Sequence, residues 1–204
     1  MSLEFVLDYR SPYAYLANTQ IGAWGVHVDH QPVDIVAVMR KVNNQPSPLC
    51  PPKARYASID ATRWATLYGV SFSPNGALIQ AMQSSRFDGA LLSRAGLAAQ
   101  ELGVFEKLNN ALFEAVWAGT DDLATEAGRA MFLRVRNILA YDLWKLASDP
   151  KIVKLLAERD QEAAERGVFG VPTMFVNGEM FFGNDRLQFV QARLQGFPTH
   201  GAMP

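Results

Sequence analysis

The sequence is poor in the features that mark several large classes of protein. Its 204 residues include one cysteine, Cys50, so the chain cannot close a disulfide within itself. It contains no run of about 18 apolar residues, the length that a membrane-spanning helix requires. Near the N-terminus, Glu4 and Asp8 interrupt the first apolar segment, and the basic region and long apolar core of a secretory signal are absent. These features predict a cytoplasmic protein without a membrane partner.

The charges of the chain are nearly balanced. With 19 basic and 20 acidic residues the formal net charge is −1, whereas a nucleic-acid-binding protein would carry a basic patch. Of the three histidines, His27 and His30 are three residues apart on a predicted strand and point to opposite faces. We therefore expect neither a nucleic-acid partner nor a metal site. Apolar residues make up 49% of the chain, which is enough for a sizeable core.

Hydrophobic periodicity predicts strands at both ends of the chain and helices between them. Residues 3–8 and 26–33 are typical of strands, and residues 13–24 of a helix. Residues 173–176 and 179–182 form a predicted hairpin around Asn177-Gly178, followed by a helix from Asn184 or Asp185. The middle of the chain predicts helices at about 52–68, 76–85, 88–102, 105–118, 125–135, 138–147 and 149–166.

Ser11 is the first candidate site residue, because it stands where the first strand leads into the first helix. Pro12 follows at the first helical position, and the free N–H groups and dipole of a helix start favour an anion or a thiolate. A serine there can donate a hydrogen bond to a thiolate, but the sulfur would have to come from a cofactor. Ser-Pro is also an ordinary helix start with serine as the N-cap, so Ser11 alone leaves both interpretations open.

Further motifs give the chain a resemblance to a known family. The order helix, Val171-Pro172-Thr173, strand, Asn-Gly turn, strand and helix is that of the C-terminal half of a thioredoxin-like domain. The chain resembles the DsbA-like branch of that superfamily, and within it the family of 2-hydroxychromene-2-carboxylate isomerases and kappa-class glutathione transferases. The residues that carry the resemblance are Asp8-x-x-Ser11-Pro12-Tyr13-x-Tyr15-Leu16-Ala17, Pro52-Lys53-x-x-Tyr56-x-x-x-Asp60-x-x-Arg63-Trp64-Ala65, Arg166 to Thr173, and Gly183-Asn184-Asp185-Arg186-Leu187.

The resemblance implies an α/β fold in which a thioredoxin-like domain carries a large all-helical insertion, as in DsbA. Residues 1–35 and 149–195 would form the thioredoxin-like domain, and residues 36–148 the linker and the helical insertion. Residues 196–204 would be a loose tail. The Val171-Pro172 peptide bond would be cis and would face Ser11.

The resemblance also implies a glutathione-dependent isomerase acting on 2-hydroxychromene-2-carboxylate or a similar aromatic breakdown intermediate. Glutathione would lie between Ser11 and Val171-Pro172, with Ser11 holding its thiolate. The charged γ-glutamyl end would be held by Asn184, Asp185 and Arg186. Candidate contacts to a small aromatic carboxylate or electrophile are Lys41, Lys53, Trp64 and Asn75. The resemblance further implies a homodimer.

Two other functions remain open at this stage. A kappa-like glutathione transferase would use the same residues but leave the sulfur on the electrophile. A redox-inactive thioredoxin-like binding module would keep a peptide groove without catalysis. Cys50 lies in a proline-rich segment, Pro46 to Pro52, and we expect it to take no part in the chemistry.

Overall fold

A computed structural model describes residues 2–197 and contains one four-stranded sheet. The strands are β1 (Leu3–Leu7), β2 (Val28–Pro32), β3 (Thr173–Val176) and β4 (Glu179–Phe182), in the order β2-β1-β3-β4. β1 runs parallel to β2 and antiparallel to β3, and β3 runs antiparallel to β4. Both ends of the chain therefore contribute to one sheet, as the sequence predicts.

The register of β1 and β3 positions the candidate site. Val6 pairs with Thr173, so the residues that follow β1 lie at the same sheet end as the residues that precede β3. Asn177 and Gly178 both have positive φ, 52° and 80°, which is the conformation of a tight hairpin turn between twisted strands. The hairpin thus fixes the segment from Val171 onward against the end of β1.

Helices cover both faces of the sheet. α1 (Pro12–Ile21) and α10 (Leu187–Leu194) share one apolar cluster with strand side chains such as Phe5 and Met174. On the opposite face, α2 (Ile35–Lys41) and α9 (Pro150–Glu165) enclose a second cluster that includes Val6 and Phe175. The alternation of side chains along a strand produces these two layers.

The helical insertion lies between β2 and β3 in the chain. After a 3-10 turn at Ser47–Leu49 it comprises α3 (Pro51–Tyr68), α4 (Gly76–Gln83), α5 (Ala90–Glu101), α6 (Phe105–Trp117), α7 (Glu126–Val135) and α8 (Leu143–Ala147). Leu92, Leu112 and Phe113 of these helices belong to the same buried cluster as Leu16 of α1. The insertion and the sheet therefore share a core, which holds α3 beside the start of α1.

The observed elements confirm the predicted fold class and correct two local predictions. No helix was predicted between residues 33 and 52, but α2 forms at Ile35–Lys41, where the Asp34 carboxylate accepts hydrogen bonds from the Val36 and Ala37 N–H groups. The helix predicted at 138–147 is shorter in the structure, where α8 begins at Leu143. Asn137, the residue before the predicted start, has a positive φ of 49° and ends the preceding helical segment.

Helix α9 and the C-terminal tail were the other structural features predicted from the sequence. α9 packs against α2 and β2, so it returns to the sheet as expected. The domain boundaries themselves stay a prediction, and most of the predicted tail, residues 198–204, lies outside the described residues. Between residues 2 and 197 there is no helix with the length and apolar character that membrane crossing demands.

Candidate active site at the start of helix α1

Ser11 is both the N-cap of α1 and a neighbour of the segment that precedes β3. Its Oγ accepts a hydrogen bond from the Ala14 N–H at 3.2 Å, and its hydroxyl donates to the Val171 carbonyl oxygen at 3.2 Å. The side chain is half-buried. The same hydroxyl therefore caps α1 and contacts Val171, which is 160 residues away in sequence. Both interpretations of Ser11, as a cap and as a site residue, are compatible with these bonds.

The Val171-Pro172 peptide bond is cis, which confirms the prediction. Two hydrogen bonds hold the segment around this peptide bond. Thr173 Oγ1 donates to the Gly170 carbonyl at 2.8 Å, and the Gly183 N–H donates to the Pro172 carbonyl at 2.9 Å. Val171 and Thr173 are buried. The backbone of Val171 is therefore held in place opposite the first turn of α1.

The turn at Asn184–Arg186 is polar and lies beside the helix that Ser11 caps. It is a 3-10 turn that contacts α1. Asp185 and Arg186 are about half exposed and form an ion pair at 2.6 Å. Asn184 is 4% exposed, and its Nδ2 has no hydrogen-bond partner within residues 2–197. The amide lies next to the Tyr68 hydroxyl, which bonds the Asn184 backbone carbonyl.

Helix α3 contributes an aromatic and acidic face to the same region. Tyr13, two residues after Ser11, donates to Asp60 Oδ2 at 2.9 Å, and Tyr56 donates to Asp60 Oδ1 at 3.4 Å. Burial raises the pKa of the Tyr13 phenol, and the hydrogen bond to Asp60 and the negative charges of Asp60 and Asp185 raise it further. Tyr13 therefore stays protonated and acts as a hydrogen-bond donor.

Farther along α3, Tyr68 and Trp64 connect the helix to the polar turn. The Tyr68 hydroxyl donates to the Asn184 carbonyl at 3.2 Å, and the ring of Trp64 contacts the ring of Tyr68 with centroids 5.3 Å apart. The spacing of four residues from Tyr56 through Asp60 and Trp64 to Tyr68 places these side chains on one face of the helix. This face forms a wall beside Ser11 and Asn184.

The other predicted substrate contacts have different surroundings. Lys53 is exposed in the first turn of α3. Lys41 ends α2, and its ammonium donates to Gln161 Oε1 of α9 at 2.8 Å. Asn75 is buried as the N-cap of α4, where Nδ2 donates to the Ala115 and Asp121 carbonyls at 3.0 and 2.9 Å and Oδ1 accepts from the Leu78 N–H. Asn75 would have to give up these bonds to contact a substrate.

Tyr13 of α1 and Asp60 and Tyr68 of the α3 wall were not among the predicted site residues. They join this region because Tyr13 bonds Asp60 and Tyr68 bonds the turn at Asn184. Tyr13 could have been found from its position two residues after Ser11, and Asp60 and Tyr68 from their spacing to Trp64. Cys50 is the half-buried N-cap of α3, at the far end of that helix from Tyr68.

Comparison with known proteins agrees with this architecture. The model of the DSBA-like thioredoxin domain family matches residues 2–195. A 2-hydroxychromene-2-carboxylate isomerase from Pseudomonas sp. (strain C18) is 31% identical over 208 residues, covering 98% of this chain and 92% of that protein. Human glutathione S-transferase kappa 1 is 25% identical over 217 residues, covering 100% and 94% of the two chains. A solved 2-hydroxychromene-2-carboxylate isomerase structure, in selenomethionine form, aligns with a TM-score of 0.81 at 26% identity, covering 96% of this chain and 95% of that one.

The four-stranded sheet, the helical insertion and the contact between Ser11 and Val171 define a thioredoxin-like protein with a serine at the start of its first helix. The chain belongs to the DSBA-like thioredoxin domain family, in the branch that contains the 2-hydroxychromene-2-carboxylate isomerases and the kappa glutathione transferases. The family resemblance seen in the sequence is thereby confirmed.

Proposed function

We propose that the protein is a glutathione-dependent isomerase of 2-hydroxychromene-2-carboxylate or a closely similar aromatic breakdown intermediate. The observation that carries the proposal is the hydroxyl of Ser11, held at the first turn of α1 and 3.2 Å from the Val171 carbonyl. The hydroxyl and the helix start together favour a bound thiolate. No cysteine stands near this position, so the thiolate would come from a ligand.

The residues around Ser11 fit glutathione in charge and in hydrogen-bonding capacity. The half-exposed Asp185 carboxylate suits the ammonium group of the γ-glutamyl end, and the polar turn that begins at Asn184 would lie beside that end. Arg186 adds a positive charge beside them. The Val171 backbone offers the main-chain pairing that an extended peptide ligand uses at the edge of a sheet.

When bound, glutathione would supply a thiolate that adds reversibly to the conjugated double bond of the substrate, so that the bond can rotate before the sulfur leaves. The Ser11 hydroxyl would turn from the Val171 carbonyl toward the sulfur and hold its negative charge. The Val171 carbonyl would then accept a peptide N–H of the ligand instead. The N–H groups of the first turn of α1 would add to the stabilisation of the thiolate, as they do for protein thiols.

The wall of α3 supports a role in binding the second substrate. Trp64 is half-buried and offers an aromatic surface, and Lys53 provides a positive charge at the open end of the same helix. Lys53 and Trp64 are eleven positions apart on α3, about 16 Å along its axis. The ring of a substrate would therefore contact Trp64, and Lys53 would act on its carboxylate as a charge at longer range. Lys41 could serve the carboxylate only if its ammonium left Gln161.

Glutathione transfer is a second candidate function, and the similarity to human glutathione S-transferase kappa 1 along the whole chain supports it. The proposed role of Ser11 is the same in both reactions. In a transferase the carbon–sulfur bond would persist in the product, whereas in an isomerase it would form and break in each turnover. The third possibility, a binding module, would require no thiolate.

The experiment is to incubate the purified protein with 2-hydroxychromene-2-carboxylate, with and without glutathione, and to follow products by chromatography and mass spectrometry. Isomerisation that needs glutathione but does not consume it would support the proposal. Accumulation of a glutathionyl adduct would assign a transferase. Absence of both, together with no rise in melting temperature in millimolar glutathione, would favour the binding module, since saturating ligand stabilises a protein by about 2.7 kcal/mol at 100 times its dissociation constant.

A further inference from the structure

A cluster of buried charges supports the loop that carries Ser11. Asp8, at the end of β1, is fully buried, and Arg10 donates to both of its carboxylate oxygens, from Nε at 2.9 and 3.2 Å and from Nη2 at 2.5 Å. Nη2 of Arg10 also lies 2.5 Å from Asp34 Oδ1. The Ser11 N–H donates to the Asp8 carbonyl at 3.0 Å. The position of Ser11 thus depends directly on Asp8 and Arg10.

Asp160 of α9 extends this cluster by one more carboxylate. Its Oδ1 accepts the Asp34 N–H at 2.7 Å, and the residue is 4% exposed. Arg10 pairs with Asp8 and Asp34, whereas none of the ion pairs between residues 2 and 197 includes Asp160. Arg10 therefore serves two of the three carboxylates, and Asp160, bonded to the backbone of Asp34, has no ion-pair partner of its own.

Burial and nearby negative charges make ionisation of the Asp160 carboxylate unfavourable. The pKa of Asp160 is raised to about 7, chiefly by burial and also by the negative charges of Asp34 and Asp8, while the Asp34 N–H and the positive charge of Lys41 oppose the shift. Lys41 belongs to α2, and its own hydrogen bond is to Gln161, beside Asp160. On α5, which also packs against α9, Arg94 is bonded to Asp88 and to the Ala147 carbonyl.

We propose that Asp160 is a proton-linked positioning residue for the Ser11 site, acting through Asp34, Arg10 and Asp8. Without its proton, Asp160 adds a negative charge next to Asp34 and Asp8, below the loop that carries Ser11. That charge weakens the stabilisation of a thiolate at Ser11. With its proton, Asp160 keeps its bond to the Asp34 N–H and adds no charge to the cluster. The part of this inference that concerns the thiolate rests on the proposed function.

The first test does not need glutathione. Nuclear magnetic resonance of the free protein follows the Asp160 carboxyl carbon and the amide groups of Ser11 and Ala14 as a function of pH. We expect the carboxyl carbon to titrate near neutrality, the two amides to shift with the same midpoint, and Asp160→Asn to abolish the shift of the amides. The matched control is Glu158→Gln, because Glu158 lies on the same helix but is 59% exposed and pairs with Lys154. Amides of Ser11 and Ala14 that ignore the titration of Asp160 would overturn the inference.

The second test measures the thiolate of glutathione bound to the protein by its ultraviolet absorbance between pH 6 and 9. In Asp160→Asn we expect about two- to fivefold more thiolate relative to thiol at pH 8 than in wild type, the size of a modest coupling between two charges, and no difference at pH 6. Glu158→Gln should follow wild type. Equal thiolate in wild type and Asp160→Asn at pH 8 would contradict the link.

The two proposals fail in different ways. If wild-type protein never holds a thiolate, the proposed function fails, and the amide titration of the free protein still decides the role of Asp160. If Asp160→Asn does not fold, the wild-type titration decides alone: a shared midpoint for Asp160 and Ser11 supports the inference, and independent midpoints overturn it.

Discussion

At Ser11 a single hydroxyl caps helix α1 and contacts the Val171 backbone. Loss of the cap costs about 1 kcal/mol in either interpretation, so a change in stability cannot identify a catalyst. A change in the rate of reaction can identify a catalyst. Each substitution at the site is therefore compared with a chemically equal substitution elsewhere in the chain.

Ser11→Ala should lower the glutathione-dependent rate on chromene carboxylates or model electrophiles by about ten- to a thousandfold, the scale of removing one donor to a developing or bound anion. The matched control is Thr125→Ala, since Thr125 caps α7 in the same way, with Oγ1 accepting the Gly128 N–H at 3.1 Å. Steady-state kinetics of both variants would check the prediction. A wild-type rate in Ser11→Ala would reduce Ser11 to an ordinary cap.

Asp185→Ala should weaken glutathione binding by about 1–3 kcal/mol, because the γ-glutamyl ammonium would lose a charged acceptor. Titration calorimetry gives the dissociation constant. Asp88→Ala is a suitable control, since Asp88 is also an exposed acid paired with an arginine near a helix start. Equal affinity in wild type and Asp185→Ala would mean that the γ-glutamyl end is held by other residues.

Sequence reasoning identified the residues of the groove better than those of its wall. Ser11, Val171 and Pro172 stand in motifs that mark a helix start and a strand start, and the family resemblance implied that these motifs face each other. The bond between Tyr13 and Asp60 joins two helices that are 47 residues apart in sequence, and no local pattern reports such a contact. Asn75 shows the converse: its N-cap position was readable from the sequence, yet a resemblance suggested a substrate contact.

At the scale of the elements, Asn75 connects the start of α4 to α6 and to the loop after it. Asn75→Ala would remove a cap and leave the Ala115 and Asp121 carbonyls without their donor. We expect a loss of about 2–4 kcal/mol in the free energy of unfolding, the sum of a cap and one or two buried hydrogen bonds.

Denaturant unfolding would check this value, with Thr125→Ala as a control for a cap alone. Under conditions where the variant is folded, the KM for the aromatic substrate should equal that of wild type, because the Asn75 side chain is occupied by hydrogen bonds within the fold. A stable variant with weakened substrate binding would instead support the substrate contact suggested by the sequence.

The elements that sequence reasoning missed or misjudged are short. α2 has seven residues and depends on the Asp34 cap, and α8 has five. Isolated helices of this length are unstable in water and form through tertiary packing, so their own sequence carries little signal. The long helices α3 and α9 and the hairpin strands were predicted closely, because periodicity and an Asn-Gly turn mark them.

At the scale of the whole molecule, the buried Asp160 makes stability depend on pH. Its pKa is about 7 in the folded protein against an ordinary value of 3.8, so the folded state keeps a proton that the unfolded chain releases. Stability should therefore fall as pH rises from about 4 to about 7 and then level off. Asp160→Asn keeps an acceptor for the Asp34 N–H and should remove this loss.

Denaturant unfolding at pH 5 and pH 8 would measure the effect. We expect Asp160→Asn to exceed wild type by about 1–4 kcal/mol at pH 8, at 1.36 kcal/mol for each unit of pKa shift, and by much less at pH 5. Glu158→Gln should match wild type at both values. An equal difference at the two pH values would show that Asp160 does not titrate in this range.

Two further predictions concern the oligomeric state of the protein and its location in the cell. The homodimer and the cytoplasmic location come from family resemblance and composition, and both stay predictions. Sedimentation of the purified protein would test the first directly. The shared core of sheet and insertion, by contrast, follows from the buried cluster that joins α1 to α5 and α6.

The assignment of Ser11 as the group that holds the thiolate is tested most directly by the pKa of the glutathione thiol. This pKa is measured for glutathione bound to wild-type protein and to Ser11→Ala. A spectrophotometric pH titration of the thiolate absorbance gives both values. We predict a thiol pKa below the ordinary value of about 8.5 in wild type, and a shift back toward that value in Ser11→Ala. An ordinary thiol pKa in wild type, or the same lowered pKa in both proteins, would contradict the assignment of Ser11 as the group that holds the thiolate.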